Sequence, residues 1–186
     1  WISYLTNLFI ASCEGMLIGL GASINIKFIK LKQEVIAMLI EKFDSAKLIN
    51  FYSGNDLEID SEHGYFGTNV ESFAIIENEI VQGAVSISKY GDKNYLEAIA
   101  VNKESRGKGL GKELLRYAIG QMDGSVYTIS KEHGFYLKHN FQFVKNMDEM
   151  ISGNCKVCEE YNKNCHPKVM VLKSNDRRKL WLENTK

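Results

Sequence analysis

A glycine-rich turn between an apolar strand and an amphipathic helix, within residues 98–115, is the feature that most constrains this chain. The strand ends at Val101, and the helix carries apolar residues at helical spacing on one face. The turn has glycines at alternate positions, namely Gly107, Gly109 and Gly111. Alternate glycines let backbone N–H groups crowd together and point outward, and a helix start adds the positive end of its dipole. The sequence therefore predicts a pocket for a phosphate-bearing ligand.

The spacing of the glycines limits which phosphate-bearing ligands the turn could bind. A P-loop requires G-x-x-x-x-G-K-[ST], and Glu113 stands where the hydroxyl would be. A dinucleotide-binding turn requires G-x-G-x-x-G, whereas the glycines here fall as G-x-G-x-G. Residues Arg106 to Gly111 fit R-x-x-G-x-G, with Arg106 and Lys108 as cations beside the turn. A glycine-rich loop before an ordinary helix is the alternative, but the preceding strand and following helix favour a binding role.

Length and charge limit the class of protein. A chain of 186 residues is long enough for one domain with a proper core. Lys+Arg and Asp+Glu both number 23, which argues against a nucleic-acid binder that uses a broad basic field. Residues 1–23 are mostly apolar, and their status is open. Because Glu14 and the glycines suit a spanning helix poorly, we expect packing on the domain rather than a membrane anchor.

Periodicity predicts alternating strands and helices along the rest of the chain. The first predicted strand lies at residues 24–31, the first helix spans Lys32 to Phe43, and residues 44–69 hold a short helix and a loop. A three-stranded meander follows, turning at Asn78-Glu79 and at Gly91-Asp92. The remaining predicted elements are a helix at 108–122, a strand at 126–129, a helix at 131–140, and strands at 141–144 and 169–172.

This order and two motifs resemble the GNAT acyl-CoA-dependent N-acyltransferase superfamily. The glycine turn is similar to the pyrophosphate loop of the family, and residues 135–141 (FYLKHNF) resemble its F-Y-x-x-x-G-F signature. Asn140 replaces the usual Gly, and Asn also tolerates a left-handed conformation at a helix end. Ile129 stands where family members often carry Asn. The resemblance covers about residues 24–173, leaving 174–186 as a polar tail.

The resemblance implies an α/β (α+β) fold of order β-α-(α)-β-β-β-α-β-α-β-β, with a mixed, mostly antiparallel sheet flanked by helices. It also implies that acetyl-CoA or another acyl-CoA is the cosubstrate and that the third meander strand splays from the next one. Pantetheine would fill this gap, and the pyrophosphate would bind the amides of the turn. The implied cofactor-binding residues are Ile99, Ala100, Val101, Arg106, Gly107, Lys108, Gly109, Leu110, Gly111 and Lys112.

Two residues are candidates for catalysis of amine attack on the thioester. Tyr136 falls on the family tyrosine that faces the CoA sulfur, and its hydroxyl can donate a proton to the departing thiolate. Glu97 is the candidate base, directly or through water, because a carboxylate in mid-strand is unusual without a partner or a task. Alternation places Glu97 on the same face as Tyr95 and Ile99. The competing carboxylates are Glu71 and Glu77.

The acceptor would be a small-molecule or peptide amine. The loop after the first helix is expected to line one side of the acceptor pocket, and its acidic residues would suit a cationic amine. A solvated loop is the alternative. These acidic residues are Asp44, Asp56, Glu58, Asp60 and Glu62.

A cysteine-bearing insert separates the last two predicted strands, at residues 152–167, and the family supplies no role for it. The spacing Cys155-x-x-Cys158 followed by Cys165-His166 is typical of a structural zinc site, since a Cys-x-x-Cys turn directs both thiolates at one metal. Reduced thiols without metal and a disulfide are the alternatives. Because no signal peptide supports an oxidising compartment, the disulfide ranks last.

The sequence thus predicts a cytoplasmic N-acetyltransferase that acts on neither nucleic acid nor a membrane. Dimers are common in the family, so a homodimer is also compatible with the resemblance. The alternatives are a non-catalytic CoA-binding or regulatory module of the same fold, and an interaction protein that uses the insert as a zinc-binding element.

Overall fold

A computed structural model describes residues 39–57, 59, 68–145 and 159–177, and these form one sheet with helices on both faces. Its strands are β1 (Ile40–Phe43), β2 (Thr68–Glu77), β3 (Ile80–Tyr90), β4 (Lys93–Val101), β5 (Val126–Ser130), β6 (Gln142–Phe143) and β7 (Lys168–Leu172). Its helices are α1 (Ser45–Ser53), α2 (Leu110–Gly120) and α3 (His133–Leu137), with 3₁₀ turns at Lys103–Ser105 and Ser174–Asp176.

The strand order is β1-β2-β3-β4-β5-β7-β6. β4 and β5 run parallel, and every other neighbouring pair among the described strands is antiparallel. This mixed, mostly antiparallel sheet confirms the predicted fold class. The predicted strand at 24–31 lies outside the described residues, as do residues 1–23.

The predicted helix from Lys32 to Phe43 is wrong at its C-terminal end. Ile40–Phe43 form the edge strand β1, which pairs with residues 72–75 of β2. Ile40 is buried in this arrangement, while Glu41 and Lys42 are exposed. Four residues with few apolar positions fit the helical period and the strand period equally well. Pairing with a strand that is distant in the sequence therefore decides that this segment is a strand. Residues 32–38 lie outside the described residues.

The β2–β3 hairpin turns at Asn78-Glu79, as predicted, although neither residue is glycine. Both adopt positive φ, 51° at Asn78 and 65° at Glu79. Two consecutive positive φ values are the conformation of a type I′ turn, whose twist matches that of the flanking strands. The turn thereby sets the register of the meander that leads to β4.

The two faces of the sheet pack against different helices. On one face, α2 buries Leu114, Leu115, Ala118 and Ile119 against large apolar residues of β2, β3 and β4. On the other face, Leu48 and Tyr52 of α1 pack over a row of alanines, which are cross-strand partners on β2, β3 and β4. These are Ala74, Ala84 and Ala100. Small side chains under α1 let that helix approach the sheet closely.

The end of α3 confirms the role predicted for Asn140. Asn140 has φ of 65°, the left-handed conformation that the family usually gives to glycine. Phe141 then turns back into the core, where its ring lies 5.3 Å from that of Tyr136. The local sequence therefore fixes how the chain leaves α3.

Candidate active site

β4 and β5 separate after two pairs of residues. Among the described residues, Asn94 pairs with Val126 and Tyr95 pairs with Tyr127. β4 nevertheless continues to Val101 and β5 to Ser130. A wedge-shaped gap therefore opens between the two strands, as the resemblance implied, and the β4 edge at Ile99–Val101 borders it.

The β4 residues that the resemblance assigns to cofactor binding lie on both faces of the sheet. Ile99 and Val101 pack with the cluster under α2, whereas Ala100 packs under α1. The carbonyl of Val101 accepts a hydrogen bond from Nε of Arg106 at 3.1 Å. The side chain that follows the strand thus folds back onto its end.

The glycine turn leads from this strand end into α2. Gly107 and Gly109 have φ values of 79° and 86°, which an L side chain rarely adopts. Gly111 is already helical, and an added Cβ would make ordinary 3.6 Å contacts with Phe135 and Val101. Two of the three glycines are therefore required by backbone conformation.

The N-terminus of α2 is capped by a glycine and so has no side-chain cap. Gly109 is the N-cap, and its carbonyl accepts from the amides of Lys112 and Glu113 at 3.1 and 3.2 Å. Leu110 packs against the core, Lys112 is half-buried, and Lys108 is exposed. The first amides of a helix have no partner within it, so this end of α2 can bind an anion.

Cations surround this helix start. Nη2 of Arg106 lies 3.6 Å from Oδ2 of Asp56, and Nζ of Lys103 lies 3.4 Å from Oδ1 of the same carboxylate. Glu113, farther along α2, pairs with Arg116 at 3.4 Å. The Asp56 pairs are exposed, and exposed pairs contribute only about 0–1 kcal/mol each. An incoming anionic group could displace them at little cost.

Asp56 and Asp44, two residues of the expected acidic rim, each contact neighbouring groups of the protein. Asp56 contacts the glycine turn, and Oδ1 of Asp44 accepts from the amide of Ala46 at 3.0 Å, which makes Asp44 the N-cap of α1. The other acidic residues of that prediction, Glu58, Asp60 and Glu62, lie outside the described residues.

Glu97 occupies a β-bulge in β4. Leu96 pairs with Ile87 and Ala98 pairs with Ser86, so Glu97 is the extra residue between them. The bulge breaks alternation: Glu97 and Ile99 do not share a face, since Ile99 packs under α2 while Glu97 is bonded to Ser88 on the α1 side. The expectation of a common face with Ile99 was wrong for this reason.

Glu97 is half-buried, and its Oε1 accepts a hydrogen bond from the hydroxyl of Ser88 on β3. The competing carboxylates lie farther from the gap. Glu71 and Glu77 are both exposed on β2, which β3 separates from β4, and Glu71 pairs with Lys42 at 3.0 Å. Glu97 is thus the candidate base beside the gap.

Tyr136 is buried on the other wall of the gap. Its ring packs in the cluster under α2, and its hydroxyl hydrogen bonds with the side chain of Thr128. Burial raises the pKa of Tyr136 to about 12, and the hydrogen bond with Thr128 acts in the opposite direction. Thr128 is one residue beyond the last β4–β5 pair, so this hydroxyl lies where the strands part.

Tyrosines cluster at the closed end of the gap. The rings of Tyr95 and Tyr127 lie 6.0 Å apart, and those of Tyr90 and Tyr95 lie 6.4 Å apart. Burial raises the pKa of Tyr95 to about 12, with smaller contributions from the neighbouring tyrosines, Glu97 and Asp92. Tyr161, from the end of the insert, packs against the same cluster.

The predicted zinc ligands are only partly described. Cys165 is half-buried and His166 is exposed in a turn closed by hydrogen bonds to the carbonyl of Glu160. Cys155 and Cys158 lie outside the described residues. Within the ranges given above, no group of three or more His, Cys, Asp or Glu could hold a metal ion. The zinc site therefore has no support in the described part of the chain.

Comparison with known proteins assigns the class. The family model described as "Acetyltransferase (GNAT) domain" matches residues 69–143, which run from β2 to β6 and include the gap and the glycine turn. The match confirms the resemblance to the GNAT family over this part of the chain. A comparison with curated proteins gave no match.

Solved structures share the fold. A protein assigned to the GNAT family from Desulfovibrio desulfuricans is 12% identical, with a TM-score of 0.51, over 73% of this chain and 99% of that one. N-acetylglutamate synthase from Neisseria gonorrhoeae, in complex with coenzyme A and N-acetyl-glutamate, is 16% identical with a TM-score of 0.50. That match covers 72% of this chain and 35% of the synthase, so this chain spans about a third of its length.

Sequence reasoning missed the partners of both candidate catalytic residues. Ser88 and Thr128 each lie on a neighbouring strand, and no motif marks them. It also missed Arg177, whose guanidinium donates to the carbonyl of Ile119 at the C-terminal end of α2 and to that of Gly124 in the loop that follows. Cationic side chains are favourable there because of the helix dipole.

No helix among the described residues is long and apolar enough to span a membrane.

Proposed function

We propose that this protein transfers an acetyl group from acetyl-CoA to a primary amine. The observation that carries the proposal is the path of β4, which parts from β5 and then enters the turn that starts α2. A ligand with a flexible amide-bearing arm and a diphosphate fits this path, because the arm can run along the open strand edge while the diphosphate meets the helix amides. Coenzyme A has both parts.

The cofactor-binding residues are proposed accordingly. The β4 edge at Ile99–Val101 would pair with pantetheine, and the amides of residues 106–112 would hold the pyrophosphate. Gly107 and Gly109 allow the backbone to approach the phosphates closely, and Arg106 and Lys108 add charge. Hydrogen bonds between backbone N–H groups and ionised phosphate oxygens are about twice as strong as neutral ones.

The chemistry is a direct transfer. The amine nitrogen forms a bond to the thioester carbonyl carbon, the C–S bond breaks, and the thiolate takes a proton. A lysine-like amine has a pKa of about 10.4, so deprotonating it at pH 7 costs about 4.6 kcal/mol, against about 1.4 kcal/mol for an α-amine. A positioned base therefore matters most for a lysine-like amine.

Glu97 and Tyr136 are proposed as base and acid, one on each wall of the gap. Glu97 lies beside β4 on the α1 side and Tyr136 beside β5 on the α2 side, so a thioester between the strands would have one on either side. Tyr136, with its pKa near 12, stays protonated at neutral pH and can supply a proton to the thiolate.

A non-catalytic CoA-binding module is the second candidate, and the burial of Tyr136 at 6% exposure favours it. Calorimetric titration with CoA and a thiol-release assay with acetyl-CoA against an amine panel separate the two. Binding with acetylation of an amine supports the transferase, while binding without any acetylation supports the module. No heat with CoA on folded protein excludes both.

The zinc site and the oligomeric state are tested by separate measurements. Metal analysis of purified protein decides the zinc site, and an intact fold without zinc contradicts it. Sedimentation decides between a monomer and a homodimer. A cytoplasmic location and a small-molecule or peptide acceptor remain part of the proposal.

A further inference from the structure

A buried hydroxyl contacts the candidate base from the neighbouring strand. Ser88 on β3 is 4% exposed, and its Oγ donates to Oε1 of Glu97. Ser88 is the cross-strand partner of Tyr95, so it would face Glu97 only diagonally in a regular ladder. The bulge places Ala98 rather than Glu97 opposite Ser86, and the Glu97 carboxylate hydrogen bonds with Ser88 instead.

The contact of Ser88 differs from those of the other buried serines on this side of the sheet. Ser86, two residues earlier on the same face of β3, is fully buried and hydrogen bonds Ser72 at 2.6 Å and Tyr52 at 2.8 Å. Those hydroxyls satisfy one another under α1. Ser88 instead donates to an ionisable group at the gap, and one hydrogen bond of this kind restricts the rotation of a carboxylate.

Other titratable groups lie around the pair. Tyr95 on β4 faces Glu97, and Tyr90, Asp92 and Tyr127 surround Tyr95 in turn. Ser88 donates a hydrogen bond to the Glu97 carboxylate within this group.

We propose that Ser88 is a positioning residue, which orients Glu97 to take the proton from the acceptor ammonium. This inference rests on the proposed function. The proton passes from the ammonium nitrogen to a Glu97 oxygen, and the nitrogen lone pair then attacks the thioester. Ser88 keeps its own proton throughout and acts only through the carboxylate.

The test compares Ser88→Ala with the conservative Ser88→Thr and with Ser86→Ala as the matched buried control. Carbon-13 NMR of glutamate-labelled protein at neutral pH, with Glu97→Gln to assign the signal, compares the Glu97 carboxyl signal among these proteins without any acceptor. Ser88→Ala should shift this signal, because the carboxylate loses a hydrogen bond. Ser88→Thr should restore the position of the signal, and Ser86→Ala should leave it in place.

Kinetics with acetyl-CoA and an amine from the panel give the second measurement. Ser88→Ala should lower kcat by about tenfold with KM for acetyl-CoA unchanged, and should have no further effect in the Glu97→Gln background. An unshifted Glu97 carboxyl signal in Ser88→Ala, or equal effects of Ser88→Ala and Ser86→Ala on kcat, overturns the inference. If Glu97→Gln keeps the full kcat, Glu97 is not the base and the inference about Ser88 fails with it. If Glu97→Gln loses kcat while Ser88→Ala does not, only the role of Ser88 is overturned.

Discussion

The side chains of Thr128 and Tyr136 are hydrogen bonded to each other one residue beyond the last pair between β4 and β5. Both residues are buried, at 1% and 6% exposure. A strand and the short helix after it are therefore tied together at the point where the sheet opens. This contact fixes a phenol at the proposed thioester position.

The first prediction concerns stability at alkaline pH. The pKa of Tyr136 rises from its ordinary value of 10.0 to about 12 on folding. A raised pKa gives stability that is complete below pH 10 and is lost as pH rises towards 12, by up to about 2–3 kcal/mol for this residue. Tyr136→Phe should therefore lose less unfolding free energy than wild type over this interval, as measured by urea unfolding at pH 7, 10 and 11.

At pH 7 the same variant should be destabilised by only about 1 kcal/mol, the loss of one neutral hydrogen bond. Tyr95→Phe provides a second test of the same effect, because the pKa of Tyr95 is also raised to about 12. Parallel pH curves for wild type and both variants would contradict the buried positions of these hydroxyls.

The second prediction concerns the glycine turn. Gly109 has φ of 86° at the start of α2, and an alanine there is strained by about 1–2 kcal/mol. In the unliganded variant the turn can relax, so CoA must restore the strained conformation, and Kd by calorimetry should rise by about five- to thirtyfold. Gly120→Ala, at the other end of α2 with nothing within 4 Å of the added Cβ, should bind CoA like wild type. Equal Kd values for the two variants would argue against phosphate binding at this turn.

The third prediction concerns Asn140. Its φ of 65° is left-handed, so Asn140→Val should lower the unfolding free energy by about 1–2 kcal/mol. Asn140→Gly should stay within about 1 kcal/mol of wild type, because glycine adopts this conformation without strain. Chemical denaturation of the three proteins measures both effects, and a valine variant as stable as wild type would refute the left-handed assignment.

The fourth prediction concerns the packing of α2 on β3. A Cβ at Gly83 would lie 2.8 Å from Cδ1 of the buried Leu114 and 3.3 Å from the carbonyl oxygen of Ala100. Gly83→Ala should therefore destabilise the protein by about 1–3 kcal/mol. Leu114→Val removes the clashing atom, so the double variant should be more stable than the sum of the single changes predicts. Strict additivity in thermal unfolding would show that Gly83 and Leu114 are not in contact.

The elements that the sequence determined by itself are those governed by local conformation. Gly107, Gly109, Asn140 and the Asn78-Glu79 turn adopt positive φ because of their own residue types or the turn they form. The meander and α2 follow from short-range periodicity. These features were enough to predict the fold class and the place of the glycine turn.

Tertiary structure alone decided the bulge at Glu97, the Ser88 and Thr128 contacts, and the strand at Ile40–Phe43. Each depends on the register between segments that are apart in the chain, and a shift of one residue reverses the face of every side chain beyond it. Residue types can be identified along one strand, but the partner that each one meets is fixed only when the neighbouring strand aligns beside it.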